Sequence, residues 1–130
     1  MMARTPTVRN ALTNDCGGVL VEFAILLPAL MLFCFGIIEA GRAMWIQHTL
    51  QWASDAAARC AAIDGITCAD ESSIIQYAVN KAEGVGVDAS NFTLTTESCG
   101  HKIAANYRFT SMVTVFAPLS FSLGASACHA

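Results

Sequence analysis

The residues best equipped for chemistry in this 130-residue sequence are its six cysteines and three histidines. Cys99-x-His101 and Cys128-His129 together offer two thiolates and two imidazoles, a donor set that zinc accepts. The spacing opposes it: neither pair has the usual gap between cysteines, and adjacent side chains at Cys128-His129 point to opposite faces of a strand. Oxidation is the better use, since six cysteines in so short a chain favour an oxidising compartment. Cys16 and Cys34 lie before and within an apolar run. That leaves Cys60, Cys68, Cys99 and Cys128, which allow three pairings. We favour Cys60 with Cys68 and Cys99 with Cys128, each bridge adding about 2–4 kcal/mol. No nucleophile motif, phosphate-cradling glycine loop or paired-carboxylate constellation is present, so the sequence reads as that of a non-enzyme with no cofactor and no metal. His48 reads as a residue of a polar helix face. Asp64, Asp70, Glu71 and Asp88 read as caps, turn residues and solvated surface.

Glu22 is the remaining candidate, because of where it stands. From Val19 to Ile38 the chain reads VLVEFAILLPALMLFCFGII, apolar except for Glu22, Pro28 and Gly36. At about 1.5 Å per residue the run crosses a bilayer core of about 30 Å. It is too long for a cleaved secretory signal and lacks a clear small-residue cut site, so a retained membrane helix is expected. Arg4 and Arg9 precede it and only Asp15 opposes them. The N-terminal flank is therefore expected on the cytoplasmic side, with residues 39–130 outside the cytoplasm, in agreement with the cysteines. A carboxylate at mid-bilayer costs about 2.5–3.5 kcal/mol on insertion scales, and less near the edge. Either Glu22 sits at the headgroup boundary and is solvated, or it pairs with a positive charge in an assembly.

Composition agrees with an anchored, exported small domain. Hydrophobic residues make up 55 % and charged residues 13 %, too apolar for a disordered chain. The net charge of −3, with no basic cluster, excludes the electrostatic footprint of a nucleic-acid binder.

Gly17-Gly18-Val19-Leu20-Val21-Glu22-Phe23 has the form of a type IV prepilin processing site, cut after Gly17 with a glutamate in the fifth place after the cut. The pattern continues through Ala24, Pro28 and Gly36-Ile37-Ile38-Glu39-Ala40-Gly41-Arg42. Over about residues 17 to 60 it closely resembles the TadE-like family of the tight-adherence (Flp) pilus system. The resemblance implies a minor pilin or pseudopilin with a type IV pilin-like fold, processed by a prepilin peptidase and anchored in the inner membrane. Its implied partners are other pilin subunits and the Tad assembly machinery. It further implies that Glu22 and Phe23 serve docking, with Glu22 pairing to the Gly18 amine of a neighbouring subunit. The residues before the cut, Asn14-Asp15-Cys16, lack the basic character usual in the family. Pro28 is expected to kink or loosen the helix in mid-membrane. Gly36 and Ala40, four apart, allow close approach of a partner helix.

The elements that must position these residues follow from periodicity, and together they predict an α+β protein. The expected division is a leader over 1–17, a membrane helix over 18–38 and a periplasmic domain over 39–130. Ile46, Leu50, Ala53, Ala57 and Cys60 recur at helical spacing beyond the apolar run, so the helix is expected to continue to about Ile63, a spine of about 65 Å, unless it breaks at Gly41. Trp45 and Trp52 flank that stripe, Trp45 alternatively anchoring at the interface, and Gln47, Gln51, Ser54 and Asp55 form a polar side. Asp64-Gly65 ends the helix. A second helix is expected from about Glu71 to Ala82, capped by Asp70, with Ile74, Ile75, Ala78 and Val79 as its apolar side. After a loop at Gly84-Val85-Gly86 the period becomes two. Phe92 and Leu94, then Ile103, Ala105, Tyr107, Phe109, Val113 and Val115, then Leu119, Phe121, Leu123 and Ala125 read as three antiparallel strands with one buried face. The Ala117-Pro118 step makes the last connection a hairpin, and the sheet packs on the helical stripe.

Overall fold

The computed structural model describes residues 15–112 and 118–130, with side chains from Gly18 onward. Arg4, Arg9, Val113, Val115, Ala117 and the Cys16 side chain, all used above, lie outside that description. The fold is α+β, in the order α1 (Asp15–Ile63), α2 (Glu71–Lys81), β1 (Phe92–Glu97), β2 (Gly100–Thr110) and β3 (Ser120–His129). The chain divides into two compact units, Met1–Ile38 and Glu39–Ala130.

In the first unit α1 presents residues 18–38 with every side chain exposed. The helix remains α-helical through Pro28 and does not break at Gly41. Its best 18-residue window has a mean hydropathy of 2.4 with none of its surface buried by the protein. A helix this long, this apolar and this uncovered is competent to cross a membrane.

The second unit has a core of its own. Ile46, Leu50, Ala53, Ala57 and Ala58 from α1 meet Ile74 and Ala78 from α2 and Phe92, Ile103, Ala105, Phe109 and Ala125 from the sheet. Ser54, assigned above to the polar side, is fully buried instead. It stands four residues from both Leu50 and Ala58, so helical spacing places it on the core stripe. Trp45 and Trp52 remain 69 % and 56 % exposed. With His48, Thr49, Lys81 and Glu83 they line an open groove of about 420 Å³, in which the Lys81 ammonium lies over the Trp52 and Tyr77 rings.

α2 begins where its cap dictates. Asp70 accepts a bond from the Ser73 amide at 3.1 Å, and its own amide donates to Ser73 Oγ at 3.2 Å, a reciprocal capping box. Ile74 and Ala78 are buried and Ile75 and Val79 half-buried. The following turn contains Gly84 and Gly86 at φ of 87° and 75°. A 3-10 turn over Ala89–Asn91, not foreseen above, leads into β1; Asp88 caps it, accepting from the Ser90 amide at 2.9 Å.

The strands pair antiparallel in the order β1-β2-β3. Phe92 opposes Ala105, Leu94 opposes Ile103, and Ile103, Ala105, Tyr107 and Phe109 oppose Ala127, Ala125, Leu123 and Phe121, so one face carries the apolar set. Coverage of that face is incomplete. Leu119 and Phe121, expected to be buried, are 61 % and 45 % exposed. Alternation sets the side to which a residue points, and the core covers that side only as far as Phe109 on β2 and Leu123 on β3.

The turn between β1 and β2 holds Ser98 and Cys99, with Glu97 opposite Gly100. Gly100 has φ +111°, and a Cβ there would lie 2.2 Å from the His129 carbonyl oxygen. Both the backbone angle and the space demand glycine. Gly100→Ala is expected to cost about 2–3 kcal/mol, read as a lowered urea midpoint with an unchanged slope.

Candidate functional site

Two groups of residues on α1 are candidates, one in each unit. In the first unit the positions read from sequence are all on the helix surface. Gly17 and Gly18 lie in its first turns, within helix rather than before it. Glu22 is exposed among exposed Val19, Leu20, Val21, Phe23, Ile25 and Leu26. Among the described residues it has no hydrogen-bond or ion-pair partner. Phe23 is 60 % exposed, Pro28 faces outward, and no atom lies within 4 Å of where a Gly36 Cβ would stand. Ala40 is exposed as well. Among the described residues none of these is brought against another part of the chain. What they offer is an uncovered apolar surface with one carboxylate on it.

In the second unit Glu39 and Arg42 form a clamp. The Arg42 guanidinium donates to Glu39 Oε2 at 3.0 Å and to the Thr110 carbonyl oxygen, while the Met112 amide donates to Glu39 Oε1 at 2.8 Å. The same guanidinium lies 4.5 Å from the centroid of the Phe109 ring, a cation–π contact. A Glu-x-x-Arg pair on a helix thus fastens the end of β2 to α1.

The clamp opens a polar row that the sequence did not reveal. Gln47 donates to the Gly124 carbonyl at 2.7 Å and Gln51 to the Ser126 carbonyl at 3.1 Å. Next along the row, Asp55 accepts from His129 Nε2 at 2.9 Å and pairs with Arg59 at 3.1 Å. Gln47, Gln51 and Asp55, read above as a polar side of the helix, are the seam between α1 and β3. Four helical residues rise about 6 Å and two strand residues about 6.6 Å, so amides at that spacing meet alternate carbonyls. The His129 hydrogen bond, with Arg59 beside it, holds the Asp55 carboxyl below its ordinary value of 3.8. A depressed carboxylate contributes stability above its unfolded value and loses it as pH falls through the folded one. Wild-type protein is accordingly expected to be more stable than Asp55→Asn at neutral pH, the gap closing as pH drops below 3.8, as urea midpoints across pH will show.

The cysteines of the second unit form two disulfides, Cys60–Cys68 with Cα atoms 5.8 Å apart and Cys99–Cys128 with Cα atoms 6.1 Å apart. The first ties the end of α1 to the segment before α2. The second ties the β1–β2 turn to the end of β3. With Cys99 and Cys128 oxidised and His129 bonded to Asp55, the alternative zinc set is not assembled. Among the described residues no group of three or more His, Cys, Asp or Glu side chains is placed to hold a metal ion. Cys34 is a free, exposed thiol.

Glu22, Phe23, Pro28, Gly36 and the Glu39–Arg42 clamp thus sit along one helix, in the arrangement noted in the sequence. Residues 17–59 match the family of TadE-like proteins. No curated protein and no solved structure matches the chain. The matched segment holds the uncovered apolar stretch of α1, Glu22, the Glu39–Arg42 pair and the helical side of the polar row, and it stops one residue short of Cys60. α2, the sheet and both disulfides lie beyond the TadE-like match. A long apolar helix, a TadE-like match and two disulfides are compatible with a membrane protein associated with a Tad pilus.

Proposed function

We propose that this chain is a minor pilin or pseudopilin that takes part in assembling a tight-adherence, type IV-like pilus, with a structural rather than catalytic role. In this reading residues 1–17 are a cytoplasmic leader removed by a prepilin peptidase, and residues 18–38 are the single membrane span. Residues 39–130 form the periplasmic head. Glu22 and Phe23 dock the helix among other pilin helices under the inner-membrane Tad machinery, with the Glu22 carboxylate paired to the Gly18 amine of a neighbour. Pro28, Gly36 and Ala40 shape and pack that helix.

The observation that carries the proposal is the state of Glu22. It is a carboxylate on a fully exposed apolar helix, without a partner among the described residues, in a segment that matches TadE-like proteins. An uncompensated charge at membrane depth costs about 2.5–3.5 kcal/mol. A partner charge from another subunit removes that cost, and the amine created by cutting after Gly17 lies at the required end of the helix.

Intact mass of the membrane-extracted protein, before and after reduction and alkylation, tests the proposal. A mass lacking residues 1–17, with two thiol pairs oxidised, is the expected result. A full-length mass would overturn processing. It would favour instead an uncleaved single-pass protein whose disulfide-bonded periplasmic domain binds a partner.

A further inference from the structure

We propose that the end of the sheet next to Glu39, formed by Met112, Leu119 and Phe121, is a second membrane contact that rests at the boundary between headgroups and acyl chains. The inference depends on the reading of residues 18–38 as a membrane span. Its occupant is the lipid bilayer from which α1 emerges.

Three observations converge on that surface. Met112, Leu119 and Phe121 are 76 %, 61 % and 45 % exposed, although all three are large and apolar. Pro118 and Ser120 beside them are exposed as well. This strand end is also held at a fixed place along α1. The Met112 amide bonds Glu39 at 2.8 Å, Arg42 bonds the Thr110 carbonyl, and the Ser111 amide bonds the Leu119 carbonyl at 3.0 Å. Glu39 is the first residue after the apolar run, so the residue bonded to it, Met112, is tied to the end of that run by the chain itself. The third observation is compositional: residues 109–130 contain no Asp, Glu, Lys or Arg, and residues 112–119 read MVTVFAPL. Connections exposed to water are ordinarily rich in polar and turn-forming residues. The described residues that flank this stretch, Met112 and Leu119, are exposed and apolar, and apolar side chains at a membrane surface bury into the boundary between headgroups and acyl chains.

The neighbouring charges fit the same depth. Arg42 lays its guanidinium on the Phe109 ring and bonds Glu39, a cation reaching out from an apolar surface with its carboxylate beside it. Ile66, 93 % exposed, provides the contrast. It stands between Asp64 and Thr67, whose turn hydrogen bonds are polar and solvated, beyond the end of α1 that is remote from the apolar run.

Collision measurements on spin labels test the proposal in the full chain, reconstituted in vesicles of phosphatidylethanolamine and phosphatidylglycerol. Single labels are placed at Met112→Cys, Leu119→Cys and Ile66→Cys with Cys16 and Cys34 replaced by serine. Intact mass confirms that both disulfides persist. Labels at 112 and 119 are expected to collide more often with oxygen, which concentrates in lipid, than with a water-soluble nickel chelate. The label at 66 should show the reverse order. Nickel-dominated collisions at 112 and 119 overturn the inference, and so does shielding from both reagents, which would mean a protein neighbour. A label on native Cys34 separates the two levels of the reading. If it reports lipid while 112 and 119 report water, only the second contact fails; if it too reports water, the membrane span falls with it.

Discussion

Glu22→Ala is expected to leave the protein folded, disulfide-bonded and inserted while abolishing pilus assembly. Every residue of the core lies between Ile46 and Ala125, and Glu22 bonds none of it. Removing its charge makes insertion easier, by up to about 2.5–3.5 kcal/mol if the carboxylate sits at mid-bilayer. Under the proposed docking role the loss falls on the pairing with a neighbouring subunit, where one partner would be left charged in an apolar setting. Glu22→Gln should behave alike, since it keeps the shape and loses the charge. Piliation scored by shear and electron microscopy, alongside membrane fractionation, checks the outcome. Normal piliation by Glu22→Ala would contradict the docking role.

The largest stability effect is expected at the Cys99–Cys128 bridge. Closing a loop restricts the unfolded chain, and the gain grows with loop length. The two bridges have sequence separations of 29 and 8. Chain-entropy arithmetic then gives about 3.6 kcal/mol for Cys99–Cys128 and about 2.6 kcal/mol for Cys60–Cys68. Position adds to the difference. Cys128 lies beside His129, which holds Asp55, so losing the bridge also frees the strand end that completes the polar row. The double variant Cys99→Ala/Cys128→Ala should therefore show the larger fall in urea midpoint, and Cys60→Ala/Cys68→Ala the smaller. Equal losses would mean that the bridges act through local packing rather than through the unfolded state.

What could be read in the sequence was what local spacing encodes. The length and hydropathy of the run over 19–38, the Asp70 cap and the two-residue period of the strands each arise within a few neighbouring residues. They mark α1, α2 and the sheet without knowledge of tertiary contacts. Glu22 was legible for the same reason, as a charge in the wrong place at a particular distance from Gly17. The polar row was not legible. Gln47 and Gln51 are indistinguishable from solvated residues until the carbonyls of Gly124 and Ser126 arrive beside them, and backbone carbonyls leave no mark in a sequence. Ser54 shows the same limit in reverse, since a hydroxyl on the core stripe suggests a polar face. Leu119 and Phe121 keep the alternation of a buried face but lie beyond the reach of the core.

The polar row also bears on how the protein avoids self-association through its sheet. β3 is an outer strand, contains no Asp, Glu, Lys or Arg, and lacks the lysines or prolines that commonly blunt such a position. Left bare, it would be a template for pairing with the same strand of another molecule. Gln47 and Gln51 occupy the carbonyls of Gly124 and Ser126, and the Cys99–Cys128 bridge pins the far end. The stretch of α1 after Glu39 therefore covers an edge that would otherwise be open to amyloid-like stacking. The second unit deprived of that stretch would be expected to aggregate.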